Sequence, residues 1–419
     1  MQATQHRLRP NYALSIGIIG TLFFIFGFVT WLNGILIPYL KISCELSNFQ
    51  SLFVAFAFYI SYTVMALPSS WVLRKTGFRN GMMIGLWVMA LGTLVFIPAA
   101  LGRTFELFLA GLFIMGSGLA LLQTASNPYI TIIGPLDSAA RRISIMGICN
   151  KVAGAIAPLI LAYFILKGGD ELVSSLETLL PGEKTAALDE LAARVINPYI
   201  GMSIVLFLLG LMIRFSPLPE VEAEETQNEE INSKTGIFQF PQLILGALAL
   251  FFYVGAEVIA GDTIIAYGTQ IGIPLGEAKN FTTFTLIAMV VGYIGGIIFI
   301  PNFISQRFAL LVSAILGLIF TGGILLTKGY YSIAFIAALG FANALVWPAI
   351  WPLAIHDLGK FIKTGSAILI MAIAGGAILP LVWGFLADIT SPQKAYTILI
   401  PCYLVILLYA GKWYKLRKW

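Results

Sequence analysis

Ala153-Gly154-Ala155-Ile156-Ala157-Pro158-Leu159 is echoed by Gly375-Gly376-Ala377-Ile378-Leu379-Pro380-Leu381, 222 residues further along a chain of 419. Both stretches are uncharged, and each sets a proline after a run of small residues. Their separation is close to half the chain, so the repeat divides it into two similar parts. A weaker echo at a similar offset pairs Asn127-Pro128 with Trp347-Pro348.

The composition says where such a repeat lives. Hydrophobic residues make up 59% of the chain and charged residues 11%, against about 25% charged in an average soluble protein. A water-facing surface of ordinary polarity cannot be built from this, so the chain belongs in a lipid bilayer. A disordered protein, a disulfide scaffold and a nucleic-acid binder are excluded, since each needs charge or cysteine that is absent. Cys44, Cys149 and Cys402 are scattered and point to neither a disulfide framework nor a metal site. The first apolar run is longer than the core of a signal peptide and lacks a small-residue cleavage site.

About 20 apolar residues cross a hydrocarbon core of ~30 Å. Stretches of that kind predict helices over 12–40, 48–73, 80–101, 104–132, 143–167, 194–216, 240–271, 278–302, 306–327, 331–356, 363–388 and 393–412. That is twelve transmembrane helices in an all-α membrane protein. With the N-terminus inside, sixteen Lys and Arg fall on the inner side, among them Arg7, Arg74, Arg79, Arg142 and Arg307, and eight on the outer. Both termini are therefore expected in the cytoplasm. The loop from Pro217 to Gly236, carrying Glu220, Glu222, Glu224, Glu225, Glu229 and Glu230, splits the spans six and six. The expected organisation is a six-helix half over 1–216, an acidic cytoplasmic linker over 217–239 and a second half over 240–419. Two six-helix repeats describe the major facilitator fold, with its cavity between the halves. A second long loop, near 168–193, ends in an amphipathic pattern of Leu188, Leu191 and Val195 that predicts a short external helix.

Once loops account for most charges, three stand well inside spans: Lys151, Glu257 and Asp262. Each costs roughly 2.5–3.5 kcal/mol at a helix centre on insertion scales, which argues for a function. Glu257 lies about 24 Å along its helix from Pro241, too deep to reach the interface. It can accept a sugar hydroxyl, carry a proton, ligate a cation or pair structurally. Asp262 is nearer the outer end. Lys151 can snorkel or neutralise an acid across a cavity. Gln123 and Asn127 share a face of the fourth span, Asn33 and Asn150 sit in the first and fifth, and Asn343, Trp347 and Trp351 form a stripe on the tenth. Indole faces stack on the C–H face of a pyranose, and amides and carboxylates bind its hydroxyls. Taken singly, each of these residues is equally at home in helix packing.

Further motifs carry a resemblance. Phe23-Phe24-Ile25-Phe26-Gly27-Phe28, Leu32-Asn33-Gly34-Ile35-Leu36-Ile37-Pro38, Gln123-Thr124-Ala125-Ser126-Asn127-Pro128-Tyr129, Tyr253-Val254-Gly255-Ala256-Glu257 and Gly384-Phe385-Leu386-Ala387-Asp388 resemble the fucose:proton symporter family of the major facilitator superfamily. Gln123 and Glu257 look like its glucose/galactose branch. Trp31-Leu32-Asn33-Gly34 with Asn150-Lys151 looks like bacterial N-acetylglucosamine permeases. The resemblance implies a cation-coupled symporter of the bacterial inner membrane, functioning as a monomer and importing a monosaccharide such as glucose, galactose, mannose or N-acetylglucosamine. Asn33, Gln123, Asn127, Asn150, Lys151, Glu257, Asn343, Trp347 and Trp351 would hold the sugar. An uncoupled facilitator and an exporter of another small molecule are the alternatives.

Fucose permeases carry acids where this chain has Gly34 and Gln123, neither of which titrates. Coupling to H+ or Na+ would then fall to Glu257 or Asp262, with no other cofactor. The basic loop holding Arg74, Gly77 and Arg79, with Arg307, reads either as a conformational latch or as orienting charge alone. No nucleotide domain or catalytic constellation is present, and with His6 and His356 the only histidines metal catalysis is not expected; the chain is not read as an enzyme.

Overall fold

A computed structural model describes residues 12–46, 48–51, 53–165, 179–218, 236–273, 275–278 and 280–416. The acidic stretch from Glu220 to Glu230 lies outside them. Among the described residues every regular element is helical, and ten helices are long and apolar enough to cross a membrane. The longer helices are α1 (Tyr12–Trp31), α2 (Asn33–Ser43), α3 (Phe53–Leu101), α4 (Phe105–Ile132), α5 (Ala139–Ile165), α6 (Pro181–Ala193), α7 (Ile196–Phe215) and α8 (Pro241–Gln270). They continue as α9 (Phe281–Phe299), α10 (Gln306–Leu326), α11 (Tyr330–Ala344), α12 (Val346–Ile355), α13 (Ile362–Met371), α14 (Gly375–Ile389) and α15 (Leu399–Gly411).

Two features separate these ten from the twelve expected. The 49 residues of α3 would measure about 73 Å if straight, more than twice a bilayer core. They are interrupted at Gly77, whose φ of 75° and ψ of 179° are open to glycine at little cost, and Leu73 packs back against Gly81. Helix α5 is 27 residues long, with Lys151 the one charge after Arg142, and it is not among the ten.

One other span is broken, and another loses its pairing locally. Between α11 and α12, Leu345 leaves helical geometry one turn before Pro348, which has no N–H to offer the carbonyl of Ala344. Between α1 and α2 the helical pairing lapses at Leu32, whose backbone stays in the right-handed helical region (φ −62°, ψ −27°).

Close helix crossings use glycine. Gly27 of α1 sits against the Asn150 carbonyl of α5, and Gly375 of α14 against the Phe251 carbonyl of α8. Without a hydrophobic drive between helices in lipid, such backbone approaches supply the packing. The first part of the chain packs α1 on α5 and α3 on α4 and α7; the second packs α8 on α14 and α9 and α10 on α11. The two parts meet where α5 touches α9 and α12, and where α3 and α4 touch α13.

Arg142 stabilises the end of α4. Buried at 3% exposure, it donates to the carbonyls of Ile130 (2.8 Å), Thr131 (2.6 Å), Gly134 (3.2 Å) and Pro135 (3.0 Å) and to Ser138 Oγ (2.7 Å). A cation at a helix C-terminus thus satisfies carbonyls that the helix cannot. The expected amphipathic helix is α6, and it buries Leu188 and Leu191. Tyr39 donates to its last carbonyls, Leu191 at 2.6 Å and Ala192 at 3.0 Å.

Candidate functional site

A cavity of about 130 Å³ lies where the two parts of the chain face one another. It has room for on the order of ten water-sized spheres, the scale of a small polar solute. Helix α1 contributes Phe23, Phe26, Thr30 and Trp31, and α3 contributes Tyr59 and Tyr62. From α4 come Gln123 and Asn127, and from α5 Ile143, Gly147, Asn150 and Lys151. The opposite wall is Tyr253, Val254, Glu257 and Val258 of α8, with Tyr293, Trp347, Pro348 and Ile373. On α5 and α8 these residues recur at helical spacing, so one face of each helix is turned inward.

The centre of the cavity is a single ion pair. Lys151 Nζ donates to Glu257 Oε1, joining α5 to α8. Their side chains are 7% and 15% exposed. Pairing leaves no net charge at this depth, which offsets part of the cost of taking two ions out of water. The ammonium also sits 4.8 Å from the ring centroid of Trp31. The Tyr253 and Tyr293 hydroxyls lie in the electrostatic neighbourhood of the Glu257 carboxylate.

Around the pair is a chain of neutral polar groups. Gln123 Nε2 donates to the Tyr62 hydroxyl at 3.3 Å, and Asn127 Nδ2 donates to the Gln123 carbonyl at 3.0 Å. Trp347 Nε1 donates to Asn127 Oδ1 at 3.4 Å, a second link between the two parts of the chain. Asn150 Nδ2 donates to the Phe23 carbonyl at 3.4 Å. Trp347 stacks on Trp351 at 5.3 Å and 24° and faces Tyr253 at 6.4 Å. A carboxylate, an ammonium, amides and an indole around one small space can bind several hydroxyls and one apolar ring face together.

The structure therefore brings together Gln123, Asn127, Asn150, Lys151, Glu257 and Trp347, and sets the other sequence candidates apart from the cavity lining. Asn33 is buried at the start of α2. Asn343 accepts from the Tyr403 hydroxyl at 2.9 Å, and Trp351 is fully buried behind Trp347. Asp262 is half-buried one turn beyond Val258 on α8. Of the basic-loop residues, Arg74 is exposed, Gly77 makes the turn, and Arg79 is half-buried with Nε unpartnered. Arg307 donates to the Ala410 carbonyl at 3.1 Å and lies over Tyr414; the second-part side chain that meets this turn is Lys363, 5.2 Å from the Phe78 ring. Trp31 and Tyr253 enter the sequence reading only as members of motifs, and Tyr59, Tyr62 and Tyr293 not at all. Tyr253 stands one turn from Glu257, a spacing that was available; the end-of-span position of Trp31 instead reads as an interfacial anchor.

The Major Facilitator Superfamily model matches residues 19–372. The chain belongs to the Major Facilitator Superfamily. Among its relatives, a glucose/galactose transporter of Brucella abortus is 32% identical over 97% of this chain and 95% of that protein. An L-fucose-proton symporter of Escherichia coli is 28% identical over 96% of this chain and 93% of its own. The crystal structure of the superfamily transporter FucP in the outward conformation superposes with a TM-score of 0.81 at 26% identity, covering 95% of this chain and 98% of that one. A proton:xylose symporter shares the superfamily fold at 13% identity and a TM-score of 0.69.

Proposed function

We propose that this superfamily member is a secondary active transporter that carries a monosaccharide across a bacterial membrane by alternating access. The observation that carries this reading is the Lys151–Glu257 pair, set among Gln123, Asn127, Asn150 and Trp347 in one cavity between the two parts of the chain. The full-length similarity to sugar transporters supports it. Glucose, galactose, mannose and N-acetylglucosamine are the substrates to test.

The chain is a monomer of twelve spans. Ten helices qualify directly, the turn at Gly77 divides α3 into two passes, and α5 is the remaining one. Residues 1–216 and 240–419 are the two six-helix halves, joined by the acidic 217–239 linker, and both termini are cytoplasmic. Asn33, Asn343 and Trp351 support the sugar site from behind its wall, and Arg74, Gly77, Arg79 and Arg307 brace the cytoplasmic helix ends. Coupling to H+ or Na+ falls to Glu257 and Asp262, since Gly34 and Gln123 cannot titrate. A second reading, uncoupled facilitation, is favoured by one observation: Glu257 already has its counter-charge in Lys151.

Counterflow of labelled sugar in proteoliposomes, with competing sugars and with or without H+ and Na+ gradients, tests this. Coupled transport gives accumulation that one ion gradient drives. Counterflow without accumulation identifies the facilitator, and no sugar counterflow at all rejects the proposal.

A further inference from the structure

The helical pairing of the first span lapses beside the cavity while its backbone stays helical at Leu32. Trp31 ends α1, Leu32 lies between the helices, and Asn33 begins α2. Pairing resumes through the Leu32 carbonyl, which accepts from Ile35 N at 3.1 Å and Leu36 N at 3.0 Å. Asn33 is buried, and its Nδ2 has no hydrogen-bond partner. A buried amide left unpaired is costly, and it gains if the segment rearranges.

The Trp31 indole touches both parts of the chain. On one side is Gly154 of α5, where an added Cβ would stand 2.8 Å from both Cγ and Nε1 of the ring. On the other is Gly261 of α8, where it would stand 3.1 Å from Cη2 and 3.2 Å from Cζ3. The ring sits close to Lys151, and it is only partly buried. At the opposite end of the cavity, α5 is held against α9 and α10: the Tyr293 ring of α9 covers Gly147, and Ala140 N donates to Gln306 Oε1 of α10 at 3.1 Å.

We propose that Trp31 is the external gate of the cavity. Seated on Gly154 and Gly261, it closes the path from outside to Lys151 and Glu257, and movement at Leu32–Gly34 lifts it. Any parting of α5 from α8 on this side must take the ring off at least one seat, so opening and unseating are one event. The two glycines are needed because a side chain on either would occupy the space of the ring. This rests on the transporter reading and on its orientation, but its test does not require the sugar to be known.

The test uses the full chain with Cys44, Cys149 and Cys402 replaced by Ser and Val258→Cys as a reporter in the cavity wall. A membrane-impermeant maleimide is applied to right-side-out vesicles. Trp31→Ala and Gly154→Ala should each raise the labelling rate on the order of tenfold, as a closed population shifts to open. Gly261→Ala, a milder intrusion, should give a smaller rise and serves if Gly154→Ala is not inserted. Trp31→Phe should stay nearer the parent. Unchanged labelling in Trp31→Ala, or a rise seen only with inside-out vesicles, would overturn the gate. Protection of the reporter is measured separately with each sugar; intact labelling changes without protection would count against the sugar assignment and leave the gate standing.

Discussion

Two sets of ion pairs use the same chemistry in opposite surroundings. At one end of the first half, Glu45 meets Lys184 at 2.7 Å and Arg103 at 3.7 Å, and Arg103 reaches Asp189 at 3.4 Å. The carboxylates are largely exposed, Glu45 at 48% and Asp189 at 61%, with Arg103 at 22% between them, and the set ties α6 to the loops after α2 and α3. In the cavity, Lys151 and Glu257 are only 7% and 15% exposed, so solvent screens them far less. Exposed pairs are worth about 0–1 kcal/mol because solvent already screens them. Removing one partner of a buried pair costs roughly 3–5 kcal/mol because the other charge is stranded. The first set is a strap that helps hold α6 in place; in the second, anything that competes for Glu257 strands the Lys151 ammonium and so changes a large energy.

The sharpest way to break this contrast is Glu257→Gln. It should abolish sugar accumulation while counterflow persists, and lower thermal stability by an amount consistent with a stranded ammonium, about 3–5 kcal/mol. The double variant Lys151→Met/Glu257→Gln should recover most of that stability without recovering accumulation; unchanged accumulation in the single variant would sink the coupling role. Next is Arg142→Lys, which tests a buried cation hydrogen-bonded to backbone carbonyls. A single ammonium cannot reproduce the five-bond fork, and a loss of about 2–3 kcal/mol is expected in a melting assay. Trp347→Phe keeps the ring but removes the hydrogen bond to Asn127, so sugar affinity from counterflow competition should fall by up to about tenfold, the scale of one hydrogen bond.

The smallest effect is expected at Glu45. Lys184, hydrogen-bonded to it, holds its carboxyl below the usual range, and Arg103 adds to this. A depressed folded-state value means that the contribution is complete above the carboxylate range of the unfolded chain. It is lost as the pH falls through the folded value, below roughly pH 4. Glu45→Gln should therefore remove a small acid dependence of the melting temperature and leave transport intact; a cost above about 1 kcal/mol would show that exposure is a poor guide to these pairs.

The span pattern was legible because the bilayer leaves so few options. Of the twelve stretches expected, the one ending at 132 closes as α4 at Ile132, and that over 306–327 is α10, Gln306–Leu326. The stretches over 48–73 and 80–101 meet within α3 at Gly77, where the backbone leaves helical geometry. Within the site, Lys151 and Glu257 could be found singly as charges a membrane should exclude. That Lys151 could neutralise an acid across a cavity was open to sequence; that it meets Glu257, 106 residues away, is decided by tertiary structure.

What the sequence alone determined is the solvent, the spans, the repeat and the few charges that needed a reason to be buried, since each follows from local composition and the cost of polarity in lipid. Tertiary structure alone decided which of those groups meet. Whether Trp31 anchors at a headgroup or lies over a cavity, and whether Asn343 faces a sugar or Tyr403, depends on how each helix is rotated. Rotation is set by close backbone contacts such as Gly27 on Asn150 and Gly375 on Phe251, made between helices far apart in the chain, and no pattern within a single helix records it.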